Sequence, residues 1–426
     1  MQRIRMMAAL VLALPLFAGC YDNDPLNAPD LSTSNGLMAR YVSMGNSITA
    51  GYQSGGINDS TQQRSYAVFF ANAANAKAEF FVPSLQGRGC APPYTHNVPP
   101  ITRVGGGTAS TCDLRADERL FYVSNVAVPG ATSFSPTDNL SPFSNSNPLT
   151  TFILGGRTQV QAMQDAKPTF VSVWIGNNDV LGSLTSASNP GDSTLVTPLP
   201  VFEANYDAML DSIETTGASA ILLSVADVSV IPYTSLGAVY WCLRTGFCPG
   251  VPAAPFPPNF GVNNNCAPGA AVPGSKGDSI LVPWPIGIPK IFAAAQGAPA
   301  GIPQTTLNCA TDPVVSPSEY ANLRNAVLGY NGYISTAAAA RGMAYLDVNA
   351  NLLALKASGD IPLFPDISAV ATGGSVTFQK TGAPASDSYF SLDGVHPSTL
   401  AHQTAANALI GAVNTFFGTS IPTIIP

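Results

Sequence analysis

Charged side chains are scarce in this chain of 426 residues. Asp, Glu, Lys and Arg make up 10% of it, whereas a typical soluble protein has about 25%. The formal net charge is −7, and an acidic balance argues against a nucleic-acid-binding protein. Hydrophobic residues reach 46%, with 38 Gly and 37 Pro, so we predict a compact, loop-rich protein rather than a disordered one.

Long hydrophobic runs are lacking except at the start of the chain. Residues 6–18 are apolar, follow a charged Met-Gln-Arg-Ile-Arg segment and are too few to span a bilayer, which is the pattern of a signal peptide. The run ends in Phe17-Ala18-Gly19-Cys20, which resembles the lipobox of bacterial lipoproteins, where the cysteine becomes the lipidated first residue. We therefore predict a lipoprotein signal peptide over residues 1–19 and lipidation of Cys20.

These signals predict a location as well. A lipid on Cys20 would hold an exported protein at a membrane, in the periplasm or on the cell surface of a bacterial envelope. Phe17 departs from the usual aliphatic residue of a lipobox, so cleavage by an ordinary signal peptidase is an alternative. A buried N-terminal helix with an accidental cysteine is a second alternative.

The chain has seven cysteines but no C-x-x-C motif and no histidine cluster, which disfavours a zinc site. With Cys20 set aside, six remain, an even number that suits disulfides in an oxidising compartment. Proximity in sequence favours three pairs among them: Cys90 with Cys112, Cys242 with Cys248, and Cys266 with Cys309. We predict no metal and no cofactor.

Internal repeats and a P-loop are absent, and the remaining chain divides into a tether and one domain. Residues 20–38 are polar and rich in Asn, Asp, Pro and Ser, as expected of a tether. Short apolar runs bounded by Gly, Pro or Asn predict strands, and they lie at 40–45, 121–128, 169–175, 218–225 and 343–348. Near-continuous apolarity, as in "PTFVSVWIG", predicts strands that are covered on both faces.

Helical patterns lie between these strands. Ser316-Pro317-Ser318-Glu319 is a capping box with Pro in the first turn, and a last helix is predicted from about Ser398 to Phe417. Strands separated by helices predict an α/β fold with a doubly wound, flavodoxin-like parallel sheet of about five strands flanked by helices. Segments near 84–118 and 229–312 are predicted to be disulfide-bearing loop insertions in a single domain over 39–420.

Histidine is also scarce, with three residues in the whole chain. A serine nucleophile needs a base, an acid that orients the base, and donors for the developing oxyanion. His396 in "SLDGVHPST" lies three residues after Asp393 and just before the last predicted helix, whereas His96 and His402 have no comparable acid. No G-x-S-x-G elbow occurs, which argues against the ordinary α/β-hydrolase arrangement.

Four short blocks resemble, in order, those of the SGNH or GDSL hydrolases. The blocks are Gly45-Asn46-Ser47-Ile48 for Gly-Asp-Ser-Leu, "SNVAVPGATS" with Gly130, Gly176-Asn177-Asn178-Asp179 for G-x-N-D, and Asp393 with His396 for D-x-x-H. The resemblance covers residues 40–417 with the two insertions outside it. It implies the SGNH hydrolase fold, in which one domain brings the four blocks together.

The resemblance also implies a role for each residue of a catalytic site. Ser47 would be the nucleophile, His396 the base and Asp393 the acid that orients it. The oxyanion hole would consist of the amides of Ser47 and Gly130 and the side chain of Asn178. Taken singly, each residue also has an ordinary structural interpretation. Ser47 would be a helix cap, Gly130 a turn residue, Asn178 a loop cap, and Asp393 with His396 a surface pair.

Two further residues belong to these blocks. Asp179 would only brace its loop. Asn46 stands where the family usually has Asp, which keeps the shape and the hydrogen bonding but removes a negative charge beside the nucleophile. We expect catalysis to survive, because the acid of the triad is Asp393.

The leading functional prediction is an exported serine esterase or lipase that forms an acyl-enzyme on Ser47 and acts on a lipid or an acylated small molecule or glycan. A carbohydrate O-deacetylase on the same scaffold is one alternative. A non-catalytic surface lipoprotein that binds glycan or lipid is another, motivated by Asn46 and the insertions. Aromatic residues could line an acyl channel or form small satellite cores, and they are Phe134, Phe143, Tyr240, Trp241, Phe247, Phe256, Phe260 and Trp284. The oligomeric state is not predicted.

Overall fold

The structure is a computed structural model, and it describes residues 36–114, 120–138, 148–248, 256–297 and 305–424. The predicted signal peptide, Cys20 and most of the predicted tether lie outside these ranges, as does Phe143. Within them, no helix combines the length and the apolarity needed to cross a membrane.

The described residues contain ten strands and twelve α-helices. The strands are β1 (Tyr41–Gly45), β2 (Tyr94–His96), β3 (Thr102–Arg103), β4 (Phe170–Trp174), β5 (Ser219–Leu223), β6 (Thr234–Leu236), β7 (Phe260–Val262), β8 (Leu281–Pro283), β9 (Thr305–Leu307) and β10 (Ala344–Leu346). The helices are α1 (Ser47–Ala50), α2 (Asp59–Gln62), α3 (Tyr66–Ala73), α4 (Pro148–Leu154), α5 (Gln159–Asp165), α6 (Asn178–Leu184), α7 (Leu199–Glu214), α8 (Gly237–Thr245), α9 (Trp284–Gly297), α10 (Pro317–Ala340), α11 (Val348–Ala357) and α12 (Thr399–Phe417).

Four parallel strands form the central sheet in the order β1-β4-β5-β10. Each lies within one of the strands predicted from sequence and is slightly shorter than predicted. Because the strands are parallel, their carboxyl ends share one edge of the sheet, where α/β proteins bind their ligands. The predicted α/β class and parallel sheet are confirmed.

The fifth predicted strand, 121–128, is not a regular strand, and here the prediction is wrong in detail. The segment runs parallel to β1, forms a single bridge with it between Ser43 and Asn125, and is joined to it by backbone hydrogen bonds of 2.8–3.2 Å. The ladder is interrupted because the amide of Gly45 donates instead to Oε1 of Gln159 at 3.1 Å. The segment still occupies the position of a fifth strand, outside β1, so the order follows the flavodoxin-like pattern.

Both faces of the sheet are covered, as predicted. Alternate residues of β1 belong to two different hydrophobic clusters, with Val42 and Met44 in one and Tyr41 in the other. Side chains of α5, α7 and α10 complete the first cluster, and those of α3 and α12 complete the second. A layer of helices therefore packs on each face.

The two helices predicted in most detail are present. At the start of α10, Oγ of Ser316 accepts from the amide of Glu319, and Oε2 of Glu319 accepts from the amide of Ser316 at 2.7 Å, which is the predicted capping box. Helix α12 begins after the N-cap Ser398 and ends at Gly418, whose φ of 65° lies in the left-handed region that favours glycine.

The three disulfides join the cysteines that are closest in sequence, as predicted: Cys90 with Cys112, Cys242 with Cys248, and Cys266 with Cys309. The first insertion contains the hairpin β2–β3, and the second contains the pairs β6–β8 and β7–β9. Tyr240, Phe256 and Phe260 of the second insertion belong to the same hydrophobic cluster as the sheet. The insertions are therefore packed parts of the fold.

Candidate active site

Ser47 lies where the first strand of the sheet turns into a helix. Strand β1 ends at Gly45, Asn46 caps α1 by accepting from the amide of Ile48 at 3.1 Å, and Ser47 is the first residue of α1. A Cβ at Gly45 would lie 2.3 Å from Oγ1 of Thr49 and 2.7 Å from a backbone carbonyl of β4, so this turn requires glycine. The tight turn leaves Ser47 at the carboxyl edge of the sheet.

His396 and Asp393 reach Ser47 from the loop before α12. Nε2 of His396 lies 3.0 Å from Oγ of Ser47, and Nδ1 of His396 lies 2.8 Å from Oδ2 of Asp393. The three side chains therefore form a continuous run from hydroxyl to imidazole to carboxylate, which is the hydrogen bonding that a nucleophile, base and orienting acid require.

The Asp393 carboxylate accepts bonds on both oxygens. Oδ1 accepts from the amides of Val395 at 2.9 Å and His396 at 2.8 Å, and Oδ2 accepts from the amide of Gly55 at 2.6 Å. Burial by itself would raise the pKa of Asp393. The charge and hydrogen bonds of His396 and the amide of Val395 outweigh burial and lower the pKa to about 2. Asp393 is therefore ionised at any pH near neutrality.

The predicted oxyanion residues lie beside this run. Gly130, with φ 86°, follows the segment that runs along β1, and Asn178 is the first residue of α6. Nδ2 of Asn178 donates to the carbonyl of Ala131 at 2.9 Å, which ties the two loops together and leaves the second N–H of that amide for another acceptor. Ser47, Gly130, Asn178 and His396 all line one cavity of about 550 Å³.

The first insertion forms a wall of this cavity. Its contribution is the Cys90–Cys112 disulfide with Ala91 and residues 109–111, and Leu149 and Leu181 are on the lining as well. His396 is the one ionisable group of the described lining that can carry a positive charge, and the lining includes no carboxylate. The described part of the lining is therefore mostly uncharged.

Asp179 lies outside the cavity, behind the loop that follows Gly130. Its buried carboxylate accepts from the amide of Ser133 at 2.7 Å and from the hydroxyl of Ser133 at 2.6 Å. Burial raises the pKa of Asp179 to about 6, although the bonds from Ser133 lower it in part. This residue braces the loop and does not contact the triad.

The other two histidines are neither hydrogen-bonded to Ser47 nor on the cavity lining. His402 is fully buried in α12, where Nδ1 accepts from the amide of Tyr66 at 3.2 Å. Burial and the charge of His396 lower the pKa of His402 to about 3, so it is neutral. Nδ1 of His96, in β2 of the first insertion, is hydrogen-bonded to Oγ of Ser375 at 3.1 Å.

Three residues that contact the triad were not predicted from the sequence. The centre of the Tyr52 ring lies 4.6 Å from the centre of the His396 ring. Burial and the charge of Asp393 raise the pKa of Tyr52 to about 12, so Tyr52 is a neutral phenol. Gly55 donates to Asp393, and Ser391 Oγ lies 3.3 Å from the same carboxylate. Nothing in their spacing sets them apart from other turn residues.

The described aromatic residues that could have lined an acyl channel or formed small satellite cores are not on the lining of the cavity. Tyr240 and Phe256 pack on Phe364 in the core, and Phe247 is 80% exposed. Trp284 contacts the loop that precedes α12, where its indole nitrogen donates to the carbonyl of Asp393 at 3.2 Å. In the part of the chain that the structure describes, no group of three side chains could hold a metal ion.

No family model matches the chain, and no curated protein matches it. Among solved structures, the chain is similar to a catalytic mutant of Axe2, an acetylxylan esterase from Geobacillus stearothermophilus, with 13% identity, a TM-score of 0.39, and 92% of this chain and 100% of that chain covered. It is also similar to the acetyl xylan esterase AlAXEase (11% identity, TM-score 0.35, 88% and 99% covered) and to TesA (11%, 0.33, 88% and 98%). At these TM-scores the likenesses are too distant to assign activity or residues.

The four sequence blocks are stronger evidence about the site than these distant structural likenesses. The four blocks that resemble those of the SGNH hydrolases are spread over most of the chain, and the fold brings them to one edge of one parallel sheet. There the serine, histidine and aspartate are hydrogen-bonded in series, and the glycine and asparagine line the same cavity. The fold therefore brings together the residues of all four blocks, as their resemblance to the SGNH hydrolases implies.

Proposed function

We propose that this chain is a serine ester hydrolase that works through an acyl-enzyme on Ser47. The observation that carries the proposal is the series Ser47, His396 and Asp393, with contacts of 3.0 and 2.8 Å, opening on a cavity that Gly130 and Asn178 also line. A nucleophile, a base, an orienting acid and oxyanion donors are the parts that acyl transfer needs.

The chemistry follows from these positions. Oγ of Ser47 attacks the ester carbonyl carbon while Nε2 of His396 takes its proton, and the amides of Ser47 and Gly130 and the side chain of Asn178 donate to the oxyanion. Collapse of the tetrahedral intermediate breaks the bond to the alcohol, which leaves with the proton from His396. Water then attacks the acyl-enzyme, again through His396, and releases the carboxylic acid and free Ser47.

A panel of p-nitrophenyl esters and a fluorophosphonate probe test this function. Wild type should hydrolyse the esters and be labelled by the probe, and Ser47→Ala should lose both, with at least about a 10³-fold fall in turnover. Ser60→Ala, which removes an exposed serine hydroxyl on α2, is the matched control and should behave as wild type. Unchanged turnover in Ser47→Ala would exclude the proposal, and ligand binding without any labelling would favour a non-catalytic binding protein.

The lining of the cavity bears on the substrate. The cavity lining combines small side chains such as Ala91, Ala109 and Ser110 with larger apolar ones, Tyr52, Leu149 and Leu181. The aromatic residues of the second insertion are not on it. We infer a neutral ester with a short or medium acyl chain, and this lining also favours the O-deacetylase alternative. Turnover that falls steeply from acetyl to hexanoyl esters supports a deacetylase, whereas sustained activity to octanoyl supports a general esterase or lipase.

We also propose that the protein is exported and anchored through a lipid on Cys20. The support is the signal sequence that ends in Phe17-Ala18-Gly19-Cys20, together with three disulfides, which are typical of oxidising compartments. Metabolic labelling with a radioactive fatty acid should mark the wild-type protein and not Cys20→Ser. Equal labelling of the two, or none of wild type, would contradict this proposal.

A further inference from the structure

The loop that carries the triad acid is held by side chains of both insertions. Asn97 of the first insertion donates from Nδ2 to the carbonyl of Leu392 at 2.6 Å. Trp284 of the second insertion donates from its indole nitrogen to the carbonyl of Asp393 at 3.2 Å. Two adjacent carbonyls of the catalytic loop therefore depend on segments outside the four family blocks.

The carboxylate of Asp393 is reached through a tight turn. The amide of Gly55 donates to Oδ2 at 2.6 Å, and the carbonyl at the other end of the same peptide unit, that of Ser54, accepts from the amide of Tyr94 at 2.7 Å. Hydrogen bonds at both ends of a peptide unit polarise it in the same direction. A line of hydrogen bonds therefore runs from Tyr94 in the first insertion to the triad.

Arg103 fixes this turn to the first insertion. Its Nη1 donates to the carbonyl of Gly55 at 2.8 Å and to that of Pro92 at 2.5 Å, and its guanidinium carbon lies 4.0 Å from the centre of the Tyr94 ring. The Arg103 side chain thus links the turn to the first insertion. It also packs on Tyr94, whose amide donates to the Ser54 carbonyl.

One residue of this turn has an unfavourable backbone conformation. Ser54 has φ 53°, in the left-handed region that a non-glycine residue rarely adopts, whereas Gly55, with φ 65°, adopts it readily. A Cβ at Gly55 would lie 2.3 Å from the ring of Tyr94, and one at Gly56 would lie 2.4 Å from the nitrogen of Pro93. The turn and the insertion therefore pack without space between them, so a movement of one moves the other.

We propose that the two insertions position the triad acid, and that Arg103 and Trp284 are the positioning residues. Arg103 acts on the carboxylate through Gly55, and Trp284 acts on the backbone of Asp393. The inference rests on the proposed function of the same site. Neither side chain lines the cavity, so both act on the orientation of the imidazole and not on the binding of substrate.

Steady-state kinetics on a p-nitrophenyl ester separate orientation from binding. Arg103→Ala should lower kcat about 10-fold or more and leave KM within about twofold, because small displacements of catalytic groups cost rate and not ground-state binding. Arg103→Lys should recover most of the loss, since an ammonium can donate to both carbonyls. Trp284→Phe, which removes the indole N–H and keeps an aromatic ring, should lower kcat about 3-fold or more with KM unchanged.

Arg88→Ala is the matched control. Arg88 lies in the same insertion and pairs with Asp113 at 2.8 Å, but among the described residues it forms no hydrogen bond or ion pair with the turn at Gly55, so its loss should leave kcat within about twofold. A loss in Arg88→Ala equal to that in Arg103→Ala would overturn the proposal, because the insertion would then matter only for folding. A change in KM alone would overturn it too.

A double-mutant comparison tests whether Arg103 acts through Asp393. In an Asp393→Asn background, Arg103→Ala should cause no further loss in the rate of fluorophosphonate labelling, whereas a general structural effect would lower that rate by the same factor in both backgrounds. Wild type and Ser47→Ala are measured alongside. If wild type is not labelled, the proposed function fails; if it is labelled and the two backgrounds lose equally, only the positioning proposal fails.

Discussion

Two buried aspartates near the site differ in pKa because of the donors that surround them. Burial raises the pKa of both, but Asp393 faces His396 and the amide of Val395, which together hold its pKa at about 2. Asp179 is surrounded by neutral donors from Ser133, which offset burial only in part, and its pKa is about 6. The residue type alone therefore does not determine the charge of a carboxyl group, and sequence does not distinguish the two cases.

Asn46 offers a test at the same scale. Its side chain is buried, its Oδ1 caps α1, and its Nδ2 has no hydrogen-bond partner among the described residues. Asn46→Asp keeps the capping oxygen, so kcat should stay within about threefold of wild type, which corresponds to less than about 1 kcal/mol of transition-state energy. Asn46→Ala removes the cap and should lower the free energy of unfolding by about 1 kcal/mol in urea titrations.

The outcomes distinguish two roles for this asparagine. A loss of tenfold or more in Asn46→Asp with normal stability would mean that a neutral amide beside the nucleophile is required, and the choice of residue would then be functional. Equal stability of Asn46→Ala and wild type would contradict the capping role.

At the scale of the element, one side-chain amide replaces part of a strand. Gln159 of α5 is fully buried, and it accepts from the amide of Gly45 at 3.1 Å and donates to the carbonyl of Gly45 at 3.0 Å. It thus supplies the acceptor that segment 121–128 would otherwise provide for the amide of Gly45, whose carbonyl still accepts from the amide of Val128 at 3.2 Å. The contact joins residues 114 apart, so no local pattern in the sequence could reveal it.

Gln159→Leu should test this replacement. The variant keeps a side chain of similar size but leaves the buried amide of Gly45 without its acceptor, which should lower the free energy of unfolding by about 1–3 kcal/mol. The matched control is Gln164→Leu on the exposed face of the same helix, which should change it by less than about 0.5 kcal/mol. Urea midpoints at constant m-value measure both, and equal midpoints for the two variants would contradict the pairing.

Local signals account for the elements that sequence did predict. The capping box at Ser316, the end of α12 at Gly418 and the four apolar strands depend on residues close together in the chain, so their patterns are readable without tertiary contacts. The triad residues were found because their blocks are also short. The turn at Gly55 and the contacts of Arg103 and Trp284 were not predicted, because each depends on a partner far away in sequence.

At the scale of the whole molecule, buried ionisable groups make stability depend on pH in opposite directions. Asp179 has a folded pKa of about 6 against an ordinary value of 3.8, so it contributes stability at low pH that is lost as pH rises through this interval. Asp393, with a pKa of about 2, contributes stability above about pH 4 that is lost as pH falls toward 2. His402, with a pKa of about 3 against 6.5, likewise loses stability as pH falls through that interval.

The contribution of Asp179 can be isolated by subtraction. Between pH 4 and pH 6, the free energy of unfolding of wild type should fall relative to that of Asp179→Asn, by at most roughly 3 kcal/mol, because the variant has no carboxyl group to ionise. Urea titrations of both proteins at pH 4, 5 and 6 give this difference in the free energy of unfolding. The opposite effect of His402 is present in both proteins and cancels. A difference that does not change with pH would mean that the pKa of Asp179 is not raised in the folded protein.

The hydrogen bond between Ser47 and His396 joins residues that are 349 apart in sequence, in the first strand and just before the last helix. During synthesis Ser47 emerges 349 residues before His396, so a chain that has not yet reached the histidine lacks the base. The long loop between the two residues must close before the hydroxyl meets the imidazole. Hydrolytic activity would therefore appear only after this closure, and its appearance in a refolding experiment would time it.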